Sequence, residues 1–255
     1  MNLFRTPSTT SLPRTPVVDS DVPLLDVPLL DVKGLDVGYG DHRVVAEVSL
    51  CLAAGDSLAV IGTNGSGKST LLRSIAGLLP ALGGTMHLNG AGVDERSATF
   101  RASVATVFDD DAYFPGLSVG EHLMLVATAH SVTSPATAVA AELDFFGLTE
   151  AEGSLPSNLS SGQRRRMLLA AAFIRPSDLL VLDEPEQRLD TVMRSRLRDR
   201  IRTLVDGGNA VVFATHDPAF VTQCGDAALL IGNSARSDSA RRLTPAAGAA
   251  EMEAL

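Results

Sequence analysis

Tryptophan is missing from all 255 residues, and only 4% of them are aromatic. A core is still available, because 45% of the chain is hydrophobic. It must be built from Ala, Val, Leu and Ile rather than from stacked rings. Basic charge is also short: Lys and Arg number 21 against 30 Asp and Glu, a net charge of −9. That balance argues against a nucleic-acid surface, since neutralising phosphates takes clustered Lys and Arg. The arginine-dense tract Arg194, Arg196, Arg198, Arg200 and Arg202 is spaced by two, which scatters it around a helix. Only Arg194, Arg198 and Arg202 share a face, with Asp190 and Asp199 near, so a solvated helix surface is expected.

Cysteine is limited to Cys51 and Cys224, far apart and without metal-ligand spacing. Each reads as a small core residue in a reducing compartment. Long apolar runs are absent. The longest, Met167 to Ile174, falls far short of the ~20 residues that span a bilayer. No basic-then-apolar leader opens the chain. The expectation is a chain that is soluble by itself and cytoplasmic.

What is present is a set of short motifs in a fixed order. Gly62-Thr63-Asn64-Gly65-Ser66-Gly67-Lys68-Ser69 is a full G-x-x-x-x-G-K-S/T, preceded by the apolar run Ser57–Ile61 and followed by Thr70-Leu71-Leu72. Strand, glycine loop and helix are the context in which this motif means a phosphate cradle. The glycines let backbone N–H groups turn inward on an anion, and the helix N-terminus adds unpaired donors and a positive dipole end. Lys68 offers a point charge for outer phosphates and Ser69 a hydroxyl for Mg2+.

Further on, Leu159-Ser160-Ser161-Gly162-Gln163 precedes Arg164-Arg165-Arg166. Leu179-Leu180-Val181-Leu182-Asp183-Glu184-Pro185 reads as an apolar strand ending in two carboxylates, with Leu189-Asp190 close behind. Ala210-Val211-Val212-Phe213-Ala214-Thr215-His216-Asp217 is another strand, ending in a histidine. From about Leu35 to about Gly232 the chain resembles the nucleotide-binding subunit of an ATP-binding cassette (ABC) transporter. The Leu-Ser-x-Gly-Gln signature before the aspartate–glutamate strand carries that resemblance.

The expected fold class is α/β, a P-loop NTPase of the ABC ATPase type. It has a mostly parallel sheet flanked by helices, an antiparallel β subdomain and a small helical subdomain at about 118–160. The residues support this. Two or three antiparallel strands fit Val32–Leu52, with a turn at Gly38–Asp41, and Ala- and Leu-rich helical register follows Ser118. Alternating strands and helices imply the parallel sheet. The ATPase domain is expected at 32–232. A disordered tail is expected at 1–31, where Asp21-Val-Pro-Leu-Leu repeats as Asp26-Val-Pro-Leu-Leu and Pro blocks helix and central strand. A frayed, low-complexity tail is expected at 233–255.

The resemblance implies roles. Asp183 would hold Mg2+ opposite Ser69. Glu184, pointed the other way by strand alternation, would be the general base for the water that attacks the γ-phosphate. His216 would be the switch histidine on that phosphate. Tyr39, between two glycines, would stack on adenine. The cofactor-binding set is Tyr39, Gly62, Thr63, Asn64, Gly65, Ser66, Gly67, Lys68, Ser69, Thr70, Ser160, Gly162, Gln163 and Asp190. Of these, Ser160 and Gly162 would touch the ATP of a second copy.

Two positions depart from the family pattern. Ser161 stands for the first signature glycine. Asp109 stands where glutamine is usual, and it reads either as a third Mg2+ contact or as one of three solvated carboxylates with Asp110 and Asp111. The partners implied are an integral membrane permease on a separate chain and a second ATPase subunit, identical or related, at the cytoplasmic face of the membrane. Two rivals are a non-transport ABC ATPase, disfavoured by the acidic charge and the lack of an insertion, and a weakly hydrolysing regulatory module.

Overall fold

A computed structural model describes residues 28–110, 112–232 and 240–254. The chain runs β1 (Leu30–Tyr39), β2 (His42–Leu52), β3 (Ser57–Ile61), α1 (Lys68–Ile75), β4 (Gly83–Leu88), β5 (Ala91–Gly92), α2 (Ala98–Ser103) and β6 (Val104–Val107). Then come α3 (Val119–Ala129), α4 (Pro135–Phe145), two 3₁₀ turns, α5 (Ser161–Phe173), β7 (Leu179–Asp183), α6 (Thr191–Asp206) and β8 (Ala210–Ala214). The last elements are α7 (Pro218–Cys224), β9 (Ala227–Leu230), β10 (Arg241–Leu243) and α8 (Pro245–Ala254).

Two sheets form. The antiparallel one has the order β2-β1-β4-β5, and the other has the order β10-β9-β3-β8-β7-β6. In the second, every pairing is parallel except β10 against β9. Its inner strands are unbroken apolar runs because both faces are covered. Side-chain alternation feeds two separate cores. Ala59 and Ile61 of β3, Leu180 and Leu182 of β7, and Val211 and Phe213 of β8 join the core with α5, α6 and α7. Leu58, Val60, Val181 and Val212 face α1 and the antiparallel sheet.

Parallel strands put all their C-terminal ends on one edge, the usual place for a ligand in an open α/β sheet. The loops after β3, β8, β7 and β6 therefore lie side by side in that order. They carry the glycine loop, His216, the Asp183–Glu184 pair and Asp109.

Both expected chain-end boundaries shift. The second Val-Pro-Leu-Leu copy is not wholly tail: Leu29 is buried and Leu30 begins β1 with no exposed surface. Residues 1–27, including the first copy, lie outside the described residues, as do Asp111 and residues 233–239. The low-complexity expectation for 233–255 fails over 240–254. There β10 pairs with β9, and α8 packs on the sheet through Gly248, where an added Cβ would stand 2.6 Å from Ala228 Cβ and 3.2 Å from Ile61 Cδ1. A stretch of small residues is what so close an approach of helix to sheet requires, and composition alone misreads it as fraying. The helical subdomain appears where expected. Helix α3 opens with a full capping box, in which Ser118 and Glu121 satisfy each other's N–H groups.

Candidate functional site

The glycine loop joins β3 to α1. Gly62 has φ 152°, and a Cβ there would collide with Ile231 O at 2.4 Å. Gly67 caps α1 at φ 99°, and its Cβ would strike Val45 Cγ2 at 2.4 Å. Only glycine fits either place. Helices α3, α5 and α6 begin with side-chain caps, whereas α1 has none. Its first-turn N–H groups thus remain available to a ligand anion. Thr63, Asn64, Gly65 and Ser69 form an open rim, while Lys68 and Thr70 are buried.

Lys68 Nζ donates to Gly62 O (3.0 Å) and Thr63 O (3.1 Å). Burial draws its pKa below the usual lysine value, opposed by the nearby charges of Glu184 and Asp183. The ammonium is thus folded against its own loop and faces the two carboxylates at the end of β7. Asp183 is nearly buried, and its Oδ1 has no partner. An unpaired buried carboxylate oxygen fits a hard divalent cation with oxygen ligands, and Ser69 on the open rim of the loop offers a hydroxyl. No group of three or more His, Cys, Asp or Glu able to hold a metal exists among the described residues. A cation here would draw its remaining ligands from phosphate and water, which suits Mg2+.

Glu184 corrects one detail of the sequence reading. Its direction comes not from strand alternation but from a left-handed turn at φ 46°, just past the last residue of β7. That conformation costs a non-glycine residue roughly 1 kcal/mol or more. It is held by Glu184 N–H to Ala214 O (2.9 Å) and by Arg165, whose Nη2 donates to Glu184 O at 2.8 Å. The carboxylate Oε1 lies 3.3 Å from His216 Nε2, and Oε2 accepts from the Gln187 side chain. His216, Gly62, Thr63 and Asn64, with Met252 of α8, line a cavity of about 300 Å3. The phosphate loop, Asp183, Glu184 and His216 therefore converge.

Other expected site residues lie elsewhere. Tyr39 ends β1, more than half exposed, as a stacking platform would be. Ser160 and Gln163 form a capping box at the start of α5: Gln163 N–H donates to Ser160 Oγ (3.2 Å), and Ser160 N–H to Gln163 Oε1 (2.9 Å). Asp190 caps α6 by accepting from Met193 N–H (2.8 Å). Gly162 packs so close to Arg188 O that a Cβ would lie at 2.9 Å. Within one copy these four residues shape helix starts, and no hydrogen bond ties them to the phosphate loop.

Asp109 is a well-exposed carboxylate with an arginine partner. Its Oδ1 pairs with Arg188 Nη2 at 2.8 Å. Asp110 pairs separately with Arg73, also at 2.7–2.8 Å scale: the Nη2–Oδ2 distance is 2.7 Å.

Four residues escaped the sequence reading: Arg165, Glu186, Gln187 and Arg188. Arg165 is buried and knits the wall together, donating to Phe108 O (2.7 Å), Asp183 O (2.6 Å) and Glu184 O (2.8 Å). Glu186 is buried as well, accepting from the Thr215 hydroxyl. The signals were the Arg164–Arg166 run and the crowding of polar residues between Pro185 and Leu189. Gln187 bonds to the nearby Glu184, but the partners of Arg165, Glu186 and Arg188 are remote in sequence, so no spacing rule finds them.

A glycine-loop nucleotide site on the edge of a parallel sheet, faced by an Asp–Glu strand end and a histidine, defines a P-loop ATPase fold. The family model described as ABC transporter matches residues 45–187. An ABC transporter ATP-binding protein of Sinorhizobium fredii is 35% identical over 184 residues, covering 71% of this chain and 54% of that protein. An aliphatic sulfonates import ATP-binding protein of Burkholderia cenocepacia is 33% identical over 194 residues, covering 76% of this chain and 70% of the relative. A solved ATP-binding subunit of an ABC transporter superposes with TM-score 0.78 at 26% identity, covering 88% of this chain and 99% of that one. The chain belongs to the ABC transporter family, as an ATP-binding subunit. It spans about half the length of the first of these relatives.

Proposed function

We propose that the chain binds and hydrolyses ATP with Mg2+ and that this drives transport through a separate membrane-spanning partner. The convergence of Lys68, Asp183 and the Glu184–His216 pair on one sheet edge carries the reading. The loop amides and Lys68 bind the phosphates. Ser69 and Asp183 would hold Mg2+, which screens phosphate charge when bound. Glu184, turned out of β7, takes the proton of the attacking water, and His216 orients the carboxylate and the terminal phosphate. Tyr39 offers an exposed ring for the adenine.

Two copies, or this chain and a related one, would sandwich ATP head to tail. In support, Ser160 at the start of α5 is exposed and has no hydrogen bond to its own phosphate loop, which fits a contact with the loop of another copy. Among the described residues no helix is long and apolar enough to cross a membrane. The permease would be another chain, with this one at the cytoplasmic face. A groove of about 390 Å3, lined among others by Phe108, Phe114, His122 and Val126, lies between the end of β6 and the helical subdomain. It is the surface on which the permease would dock.

Phosphate release from the purified chain, with and without Mg2+, tests the reading. Turnover that needs Mg2+ and disappears in Glu184→Gln is expected. Absence of turnover both alone and with a co-expressed permease would reject it.

A further inference from the structure

Glu186 is a buried carboxylate that the chemistry above does not use. It lies in the loop after β7, two residues beyond the base. Its Oε1 accepts from the Thr215 hydroxyl and from the His216 N–H at 3.4 Å. Thr215 is itself fully buried, and its oxygen accepts from Asp217 N–H at 2.9 Å. Glu186 Oε2 is sealed from solvent and has no partner. Burial pushes the carboxyl above the usual carboxylate range. A buried acid with one bare oxygen costs stability.

What the acid gains is a brace between two loops. One end is covalently tied to the Glu184 turn. The other holds the backbone where β8 gives way to His216. Across this brace the imidazole Nε2 stands 3.3 Å from Glu184 Oε1. Reach at a catalytic pair is sensitive: a misplacement of about 1 Å can cost on the order of 100-fold in rate.

We propose that Glu186 is a positioning residue for ATP turnover: by holding the Thr215–His216 backbone it sets the distance between His216 and Glu184, and it acts only through His216. The inference rests on the ATPase reading above.

The test is a double-mutant cycle on steady-state phosphate release. Glu186→Ala should lower kcat by about tenfold, with KM for ATP within about twofold of wild type, because the phosphate loop is untouched. Glu186→Gln should stay within about threefold of wild type, since an amide oxygen accepts the same two bonds. In a His216→Ala background, Glu186→Ala should cost no more than about twofold further, the mark of a residue acting through its neighbour. If Glu186→Ala does not fold, Glu186→Asp serves. It keeps the carboxylate but falls one methylene short, and the same loss is expected only where His216 is intact. An equal loss in both backgrounds, a rise in KM at constant kcat, or a silent Glu186→Ala would overturn the inference and leave the ATPase reading intact. A wild type without turnover would remove that reading and this inference with it.

Discussion

The two walls of the nucleotide site are held together in different ways. The phosphate-loop wall is local: Lys68 bonds to carbonyls five and six residues back, and Gly62 and Gly67 shape the turn by having no side chain. The facing wall is tertiary. Arg165 of α5 gathers carbonyls from the ends of β6 and β7, Glu186 reaches Thr215, and Arg188 reaches Asp109. The first wall holds an anion by backbone geometry, which survives most changes of sequence around it. The second places Glu184 and His216 by side-chain contacts between distant segments, so each contact is open to change by a single substitution.

The largest effect separates binding from turnover. Lys68→Ala should weaken ATP binding by about 100-fold or more, since a charge-assisted contact to phosphate is lost. Calorimetric titration measures it, and an unchanged Kd would mean the loop wall is not the phosphate site. Glu184→Gln should do the converse. Turnover should fall by roughly 100- to 10,000-fold, the range of general-base catalysis, with the Kd for ATP kept. Wild-type turnover in that variant would take the base out of the second wall.

That division also explains how much was legible in the sequence. The phosphate loop and the inner strands follow from spacing and period, because their causes lie within a few neighbouring residues. Glu184 was found as a residue but not as a turn, since its φ is set by Ala214 and Arg165 across the sheet edge. Asp109 looked anomalous because its partner, Arg188, lies far along the chain. Helix α8 was lost for a different reason: its Ala- and Gly-rich composition reflects tight seating on Ile61 and Ala228, not a lack of structure.

Smaller effects probe that C-terminal seat. Gly248→Val should overpack the contact and cost roughly 1–3 kcal/mol, seen as a lower thermal midpoint. Met252 of the same helix lines the cavity with Gly62 and His216, so a modest loss of turnover should accompany it. An unchanged midpoint would show that α8 does not help to hold either wall.

The buried acid of the second wall gives a pH signature. The folded-state pKa of Glu186 is raised by burial. Its contribution to stability is therefore fully present below the unfolded carboxylate value and is lost as pH rises through the folded one. Glu186→Gln does not titrate. Its stability relative to wild type should be higher at neutral pH than at acid pH, and urea unfolding at the two values would show it. A difference that does not vary with pH would mean that the wall tolerates the ionised acid without cost.

The smallest effect belongs to the Asp109–Arg188 pair. Both side chains are well exposed, 61% and 42%, so solvent screens the 2.8 Å contact. A cycle of Asp109→Ala and Arg188→Ala, followed by urea unfolding, should give a coupling below about 1 kcal/mol. It should shrink further in about 1 M salt, where the Debye length is near 3 Å. The pair thus contributes alignment between two loops more than stability. Because the Asp109 carboxylate is turned to Arg188, it is not counted among the Mg2+ ligands. Asp109→Gln should then follow the wild-type curve when turnover is titrated with Mg2+, whereas Asp183→Asn should need much more metal. A shift of the Asp109→Gln curve toward that of Asp183→Asn would place Asp109 on the ion. The second wall would then be organised by metal as well as by contacts between its loops, and the contrast between the two walls would narrow accordingly.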